Sequence, residues 1–218
     1  MKPLLLINFK TYIEGTGKDA VKLAKLIDKI AKQKKAHVVV AVETADIYPV
    51  SKAVKLPVYA QHIDSVEEGA HTGAVLAKDV RENGAKGTIL NHSEKKMKYR
   101  ELRKSIEIAR KNGLKTVVCV NNVAYLRRVR RFKPDYIAIE PPALIGTGIS
   151  VSTARPGLIR KAVKVARGIP LLAGAGISSG SDVKRALELG ASGVLAASAI
   201  VRARDQKAVI LDMINALR

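Results

Sequence analysis

Residues 87–120 read GTILNHSEKKMKYRELRKSIEIARKNGLKTVVCV, which is the pattern of a strand, a helix and a second strand. Two short apolar runs, at 87–90 and 116–120, flank a segment of helical periodicity at 98–112. Gly113 follows that segment, at a place where helices commonly end in a residue of positive φ. Because the apolar runs do not alternate with polar residues, they predict strands that are buried on both faces of a parallel sheet.

The same unit recurs from one end of the chain to the other. Further apolar runs predict strands at 4–9, 37–42, 58–60, 136–140, 170–173 and 193–196. Further helical periodicity appears at 18–34, 46–53, 74–83, 122–131, 155–167, 181–189 and 206–217. Eight such units predict an α/β fold, specifically a (β/α)8 barrel that forms a single domain over residues 1–218. An open doubly wound sheet is the alternative, but no Gly-x-Gly-x-x-Gly motif follows the first strand, which disfavours dinucleotide binding.

The composition limits the classes to which the protein can belong. The chain has 39 Lys and Arg residues against 19 Asp and Glu residues, a formal net charge of +20, and one cysteine, Cys119. A single cysteine excludes an internal disulfide framework and a cysteine-based zinc site. The first apolar run, at 4–7, is too short for a signal peptide or a membrane span, so we expect a cytoplasmic protein.

The excess of positive charge follows helix periodicity in several segments. The clearest examples are a stripe spaced by four and three residues and a dense run of arginines, namely Lys18, Lys22, Lys25, Lys29 and Lys32, and Arg127, Arg128, Arg130 and Arg131. This spacing predicts solvated helix faces, and weak, non-specific binding of nucleic acid is the alternative. The chain has six tyrosines, two phenylalanines and no tryptophan, so we expect no stacking platform for single strands.

Polar residues stand where a (β/α)8 barrel carries its chemistry, at the carboxyl ends of the strands. Lys10, His92 and Glu140 follow the first, fourth and sixth predicted strands. An ammonium group, an imidazole and a carboxylate at one mouth predict proton abstraction next to a carbonyl group, with stabilisation of the oxyanion that forms. Small residues after the seventh and eighth strands, at Gly174–Gly176 and Ala197–Ser198, would offer backbone N–H groups to a phosphate.

Each of these residues also has a purely structural interpretation. A lone histidine such as His92 is more often part of a core than of a catalytic site, and Lys10 could simply pair with Glu94 at the rim of the barrel. The remaining histidines share no metal-ligand spacing with one another or with carboxylates, and we therefore predict no metal site.

Seven motifs together resemble the triosephosphate isomerase family, in its short archaeal form, over essentially the whole chain. They are INFKTY at 7–12, YAQHID at 59–64, GAHTG at 69–73, LNHSE at 90–94, IEPPALIGTG at 139–148, GAGI at 174–177 and GVLAAS at 193–198. The resemblance implies a TIM barrel and an aldose–ketose isomerase of glycolysis and gluconeogenesis. Such an enzyme interconverts dihydroxyacetone phosphate and D-glyceraldehyde 3-phosphate through an enediolate and needs no cofactor.

The family is a much-studied case of this chemistry, and the resemblance implies a role for each central residue. Glu140 would be the base and His92 the electrophile. His92 should be a neutral imidazole, because the N-terminus of a short helix that begins near Ser93 would disfavour its charged form. Lys10 would bind the substrate and stabilise developing negative charge, and Glu94 would position both Lys10 and Ser93.

The resemblance also implies the residues that surround this centre. Asn8 would contact the substrate beside Lys10, and Gln61 would have a supporting role. Four further residues would bind the substrate, mostly at its phosphate, namely Ile145, Gly176, Ala197 and Ser198. The segment 141–148 would be a lid that closes over the phosphate and excludes water.

A second loop, at about 64–74, matches the one with which members of the family contact a neighbouring subunit. Thr72 in this loop would brace the neighbour's Asn8 and Lys10, so the resemblance implies a homodimer or a homotetramer. Two positions depart from the archaeal pattern, because Ala143 replaces a glutamate at the start of the lid and Ala199 replaces a glycine. We expect activity to survive with altered lid kinetics.

Two other functions are compatible with the residues. One is a basic phosphate-binding or nucleic-acid-binding barrel with weak or no isomerase activity, which the charge of +20 favours. The other is a different phosphate-binding barrel enzyme, which the LNHSE and IEPPALIGTG motifs disfavour.

Overall fold

The computed structural model describes residues 2–217, and within them eight parallel strands close into a barrel in chain order. The strands are β1 Leu4–Asn8, β2 His37–Val42, β3 Val58–Ala60, β4 Gly87–Leu90, β5 Lys115–Val120, β6 Tyr136–Ile139, β7 Leu171–Ala173 and β8 Gly193–Ala196. The barrel closes where β8 pairs with β1, with Gly193 opposite Leu4. The predicted (β/α)8 barrel is confirmed, and the open doubly wound sheet is wrong.

Helices cover the outside of the barrel. They are α1 Gly17–Lys34, α2 Ile47–Ala53, α3 Ala77–Glu82, α4 Tyr99–Lys111, α5 Val123–Val129, α6 Val151–Ala154, α7 Pro156–Ala166, α8 Gly180–Glu188, α9 Ser198–Val201 and α10 Gln206–Asn215. Short 3-10 turns lie at 13–15, 44–46, 130–132 and 142–144. The sequence did not predict α6 and α9, because four residues are too few to show a helical period.

Neighbouring side chains on one strand enter two different cores. On β1, Leu5 and Ile7 pack between the sheet and the helices, whereas Leu4 and Leu6 fill the interior of the barrel. Both sets are buried, which explains why the strands are continuously apolar instead of alternating.

The first helix illustrates how the charge is distributed. One face of α1 is buried through residues such as Leu23 and Ile27, and the five lysines of its stripe are exposed on the other side. The solvated helix face that the spacing predicted is therefore confirmed for α1. No helix within residues 2–217 is long and apolar enough to cross a membrane.

Candidate active site

A cavity of about 80 Å³ opens at the carboxyl ends of the strands. Lys10, His92 and Glu140, the three central residues predicted from the sequence, all line this cavity. The first and the last of them are separated by 130 positions in the chain. The sixteen residues that line the cavity are Lys10, Tyr12, His92, Glu140, Ile145, Gly146, Gly148, Ala175, Gly176, Ile177, Ser178 and the stretch 195–199.

Lys10 is held by hydrogen bonds at both its backbone and its side chain. Its φ of 51° lies in the left-handed region, which an L-residue enters at a cost in conformational energy. Its N–H donates to Oδ1 of Asn8 at 3.1 Å, and its carbonyl oxygen accepts from Nε2 of Gln61 at 2.9 Å. Its Nζ lies 2.7 Å from Oε1 of Glu94. These contacts direct one ammonium group into the mouth of the barrel.

His92 is buried, and its two ring nitrogens face different partners. The backbone N–H of Glu94 lies 3.3 Å from Nδ1 and donates to it. Oε2 of the same residue lies 3.4 Å from Nδ1. Nε2 lies 3.9 Å from Oε1 of Glu140 and faces the cavity.

The helix predicted to begin near Ser93 is not present. Residues 92–95 form a turn in which the N–H of Lys95 donates to the carbonyl oxygen of His92 at 3.0 Å, and α4 begins only at Tyr99. The prediction of a helix at this place is therefore wrong, and the backbone group nearest Nδ1 of His92 is the N–H of Glu94 in the turn. The expected contact between Glu94 and Ser93 is also absent, since Oγ of Ser93 is buried and has no partner among the described residues.

Glu140 follows β6 directly and is only 5% exposed. Its Oε2 atom is buried and has no hydrogen-bond partner within residues 2–217. A buried carboxylate oxygen without a donor is costly unless it has a function, so Glu140 has the free lone pairs that a general base needs. Gly174 lies against it, because a Cβ atom at position 174 would be 2.6 Å from Cγ of Glu140.

The side chain of Cys119 lies in the barrel interior and is almost completely buried. Burial and the nearby charge of Glu140 raise the pKa of its thiol well above its usual value. A thiol that stays protonated is a poor nucleophile, so Cys119 belongs to the core and not to the reacting groups.

The phosphate-binding positions implied by the resemblance meet at the other end of the cavity. Ile145, Gly176, Ala197 and Ser198 all line it. Gly176 has a φ of 71° and lies so close to the carbonyl oxygen of Ile149 that a side chain would collide with it. Ile149, which directly follows the segment 141–148, therefore rests on the loop after β7.

Not every predicted residue reaches this cavity within one chain. Asn8 and Gln61 line an adjoining cleft of about 370 Å³, which Lys10 and His92 also border. Thr72 is exposed and lines a separate cleft of about 580 Å³ at the base of the loop 64–74. Thr72 and Asn8 therefore do not meet in a single subunit.

The structure also places residues in the cavity that the sequence did not single out. Tyr12 borders both the cavity and the cleft, and its ring lies 5.9 Å from Nζ of Lys10 and 5.4 Å from the guanidinium carbon of Arg202. Ser178 and Ala199 also line the cavity. Tyr12 stands only two positions after Lys10, and this proximity was the signal that could have identified it.

The departure at position 199 has a simple structural outcome. Ala199 lies inside α9 and has a negative φ, so its methyl group causes no backbone strain.

Across the part of the chain that the structure describes, no group of three or more His, Cys, Asp or Glu residues is arranged to hold a metal ion.

A family model described as Triosephosphate isomerase matches residues 3–217. The triosephosphate isomerase of Methanothermus fervidus is 43% identical to the chain and is aligned over 98% of both proteins. Those of Methanoculleus marisnigri and Metallosphaera sedula are each 44% identical, with alignments that cover 99% and 98% of this chain and 99% and 95% of theirs.

Proposed function

The chain belongs to the triosephosphate isomerase family, and we propose from this premise how its residues interconvert dihydroxyacetone phosphate and D-glyceraldehyde 3-phosphate. The reaction moves a proton between adjacent carbon atoms through an enediolate. The observation that carries the assignment is the pair formed by Oε1 of Glu140 and Nε2 of His92, which lie 3.9 Å apart across one small cavity. The pair offers a base and a hydrogen-bond donor to the same substrate.

Glu140 acts as the base that removes the proton from one carbon and returns it to the next. Its buried Oε2 atom has no hydrogen-bond donor among the described residues, so its lone pairs are free to accept the proton. His92 donates a hydrogen bond from Nε2 to the oxygen on which negative charge develops. A neutral imidazole is a better match for a weakly acidic enediol than an imidazolium would be.

Lys10 supplies positive charge to the developing enediolate. Glu94 and Gln61 support this role by fixing the side chain and the backbone of Lys10. Oδ1 of Asn8 accepts a hydrogen bond from the N–H of Lys10. Asn8 lines the adjoining cleft, and it would contact the substrate from there. No cofactor enters, because the proton and the electrons stay with the substrate.

The lid, defined as residues 141–148, closes over the phosphate. Ile145 contacts the ligand from the lid, and the backbone at Gly176, Ala197 and Ser198 binds the phosphate oxygens. Closure excludes water from the enediolate and so protects it from losing its phosphate.

Two copies of the chain form a homodimer, or two such dimers a homotetramer, through the loop 64–74. Asp64 closes the base of this loop, because its Oδ2 accepts the N–H of Val75 at 2.8 Å and its Oδ1 lies 3.1 Å from Nε2 of His62. Thr72 would enter the cleft beside the neighbour's Lys10. Exposed apolar side chains at Ile13 and Tyr48 are available for the same contact. We propose that the protein acts in the cytoplasm.

The roles can be tested with a coupled assay on glyceraldehyde 3-phosphate. Glu140→Asp draws the carboxylate back by one methylene group, and we expect the turnover number to fall by about 10²–10⁴-fold with the fold retained. A phosphoglycolate-type inhibitor should still bind this variant. The control is Glu82→Asp, which makes the same change at an exposed position at the end of α3 and should leave the rate unchanged. Wild-type turnover in Glu140→Ala would contradict the role of the base.

A further inference from the structure

A groove of about 640 Å³ runs along the outside of the barrel between α4 and the 3-10 turn that follows α5. It shares no lining residue with the cavity at the mouth of the barrel. Its lining is rich in cations and aromatic rings, and consists of Tyr99, Arg100, Arg103, Glu107, Arg110, Arg131, Phe132 and Lys133.

Both walls of the groove carry positive charge. Arg100, Arg103 and Arg110 lie on one face of α4, because three and seven residues bring a helix back to the same side. They extend over about 15 Å at the rise of an α-helix. Arg131 and Lys133 face them from the opposite wall.

Several of these side chains are already engaged. Nε of Arg103 lies 2.8 Å from Oε1 of Glu107, which is the one carboxylate in the lining. Arg110 donates to the carbonyl oxygens of Phe132 and Lys133 at 3.0 Å each and so ties the two walls together.

Three cations in the groove remain available for a ligand. The side chains of Arg100, Arg131 and Lys133 form no ion pair and no hydrogen bond with any residue in the range 2–217. Like charges that face each other across a concave surface raise the local positive potential above that of a convex surface. An anion bound between the walls would relieve this repulsion.

The aromatic residues form the floor of the groove. The guanidinium carbon of Arg128 lies 4.4 Å from the centre of the Tyr99 ring, and the ring of Phe132 lies 4.8 Å away. Because both neighbours crowd Tyr99, its faces are not open to a base. The groove therefore suits a charged backbone and not stacked bases.

We propose that this groove binds the phosphate backbone of a nucleic-acid duplex without sequence preference. A duplex presents closely spaced charges at every position, so it can match a row of arginines without a specific arrangement, and guanidinium groups bind phosphate oxygens in pairs. A protein partner would need apolar anchors, and the exposed large apolar residues of the described chain, Ile13, Tyr48 and Ile149, lie elsewhere. A symmetric contact with a second copy would bring the same cations face to face.

The test compares two variants that lose the same charge from different surfaces. The groove variant combines Arg100→Gln, Arg131→Gln and Lys133→Gln. The control variant combines Lys18→Gln, Lys25→Gln and Lys29→Gln on the convex, exposed face of α1. Binding of a fluorescently labelled DNA duplex of about 20 base pairs is followed by anisotropy over a series of salt concentrations.

We expect the groove variant to lose affinity by at least about ten-fold at roughly 0.1 M salt, and its plot of log K against log salt to flatten by about 0.9 per lost contact. The control variant should keep the affinity and slope of the unmodified chain, and both variants should keep full isomerase activity. Equal losses in the two variants would show that net charge alone causes binding, and would overturn the proposal. It would also be overturned if the groove variant changed the oligomeric state and left DNA binding unchanged, or if an acidic polypeptide bound the groove more tightly than the duplex.

Discussion

At the scale of single residues, the position of the Glu140 carboxylate depends on a neighbour that has no side chain. The side chain of Glu140 lies against the backbone of Gly174, in space that a Cβ atom at position 174 would occupy. The φ of Gly174 is not in the left-handed region, so its requirement is close approach and not backbone conformation. The sequence suggested a phosphate-binding role for Gly174, whereas in the structure Gly174 leaves room for the side chain of Glu140.

This close approach predicts a large effect of a single methyl group. We expect Gly174→Ala to displace the carboxylate of Glu140 from Nε2 of His92 and to lower the turnover number by about 10²-fold, since small misplacements of reacting groups are costly. Steady-state kinetics with glyceraldehyde 3-phosphate measures the loss.

The matched control for this prediction is Gly157→Ala. Gly157 lies in α7, its φ is not left-handed, and a Cβ atom there would meet nothing within 4 Å. This variant should keep full activity. If Gly174→Ala also retained full activity, the space beside Glu140 would have no catalytic importance.

At the scale of elements, the lid is anchored differently at its two ends. A 3-10 turn at Pro142–Leu144 forms the first end, and Leu144 is buried while Ala143 is exposed. Beyond the second end, the N–H of Val151 donates to the carbonyl oxygen of Ala175 at 3.2 Å, and Ile149 rests on Gly176. Within the described residues, the hydrogen bonds of the first end stay inside the turn, whereas the second end is also bonded to the loop after β7.

The exposed turn makes position 143 a place where lid motion can be changed without disturbing the core. We expect Ala143→Glu, which restores the carboxylate typical of the archaeal pattern, to change the turnover number and KM together by a few-fold, as hinge substitutions do. Its free energy of unfolding should stay within about 0.5 kcal/mol of the original value, because the residue is on the surface.

Ala208→Glu supplies the control for the lid variant. It adds the same charged side chain at an exposed position on α10, outside the lid. We expect it to leave both kinetic constants unchanged. Unchanged constants in Ala143→Glu as well would remove the link between this residue and lid movement.

At the scale of the whole molecule, the interior of the barrel contains several groups that titrate at high pH. Tyr59, Tyr136 and Cys119 all belong to the inner core. Burial is the main cause that raises the pKa of each of these groups. The charges of Tyr136 and Asp135 also raise the pKa of Tyr59, and the charge of Glu140 also raises the pKa of Cys119. The folded barrel therefore holds these three protons at a pH at which the unfolded chain releases them.

The direction of the effect on stability follows from this difference. The unfolded cysteine and tyrosines lose their protons above their ordinary pKa values of about 8.5 and 10, so the unfolded state binds fewer protons than the folded state. We expect the free energy of unfolding by urea to lose their contribution progressively as the pH rises from about 8 to about 11. Below about pH 8 this contribution is fully present.

The variant Tyr59→Phe separates this effect from the titration of surface lysines. It removes one of the three buried groups and keeps the ring in the core. The decline of stability between about pH 9 and about pH 11 should be smaller in the variant than in the original chain. An identical decline in both would mean that burial of Tyr59 does not contribute.

Much of this molecule could be predicted from short stretches of its sequence. Strands and helices follow from local periodicity, and Gly113 follows α4 with a positive φ, as predicted. The strand ends also located Lys10, His92 and Glu140, because parallel strands in a barrel deliver their carboxyl ends to one mouth.

The remaining features depend on which distant residues meet, and local periodicity carries no such information. The tertiary structure decided that Tyr12 borders the site and that Gly174 makes room for Glu140. It also brought Tyr99 of α4 against Phe132, which created a basic groove where the spacing of charges showed only separate helix faces. The sequence alone determined which segments form strands and long helices, and which polar residues stand at the ends of the strands, because these features depend on neighbours within a few positions. The close contacts of the site and the groove were decided only when the barrel closed, because they depend on packing between residues far apart in the chain.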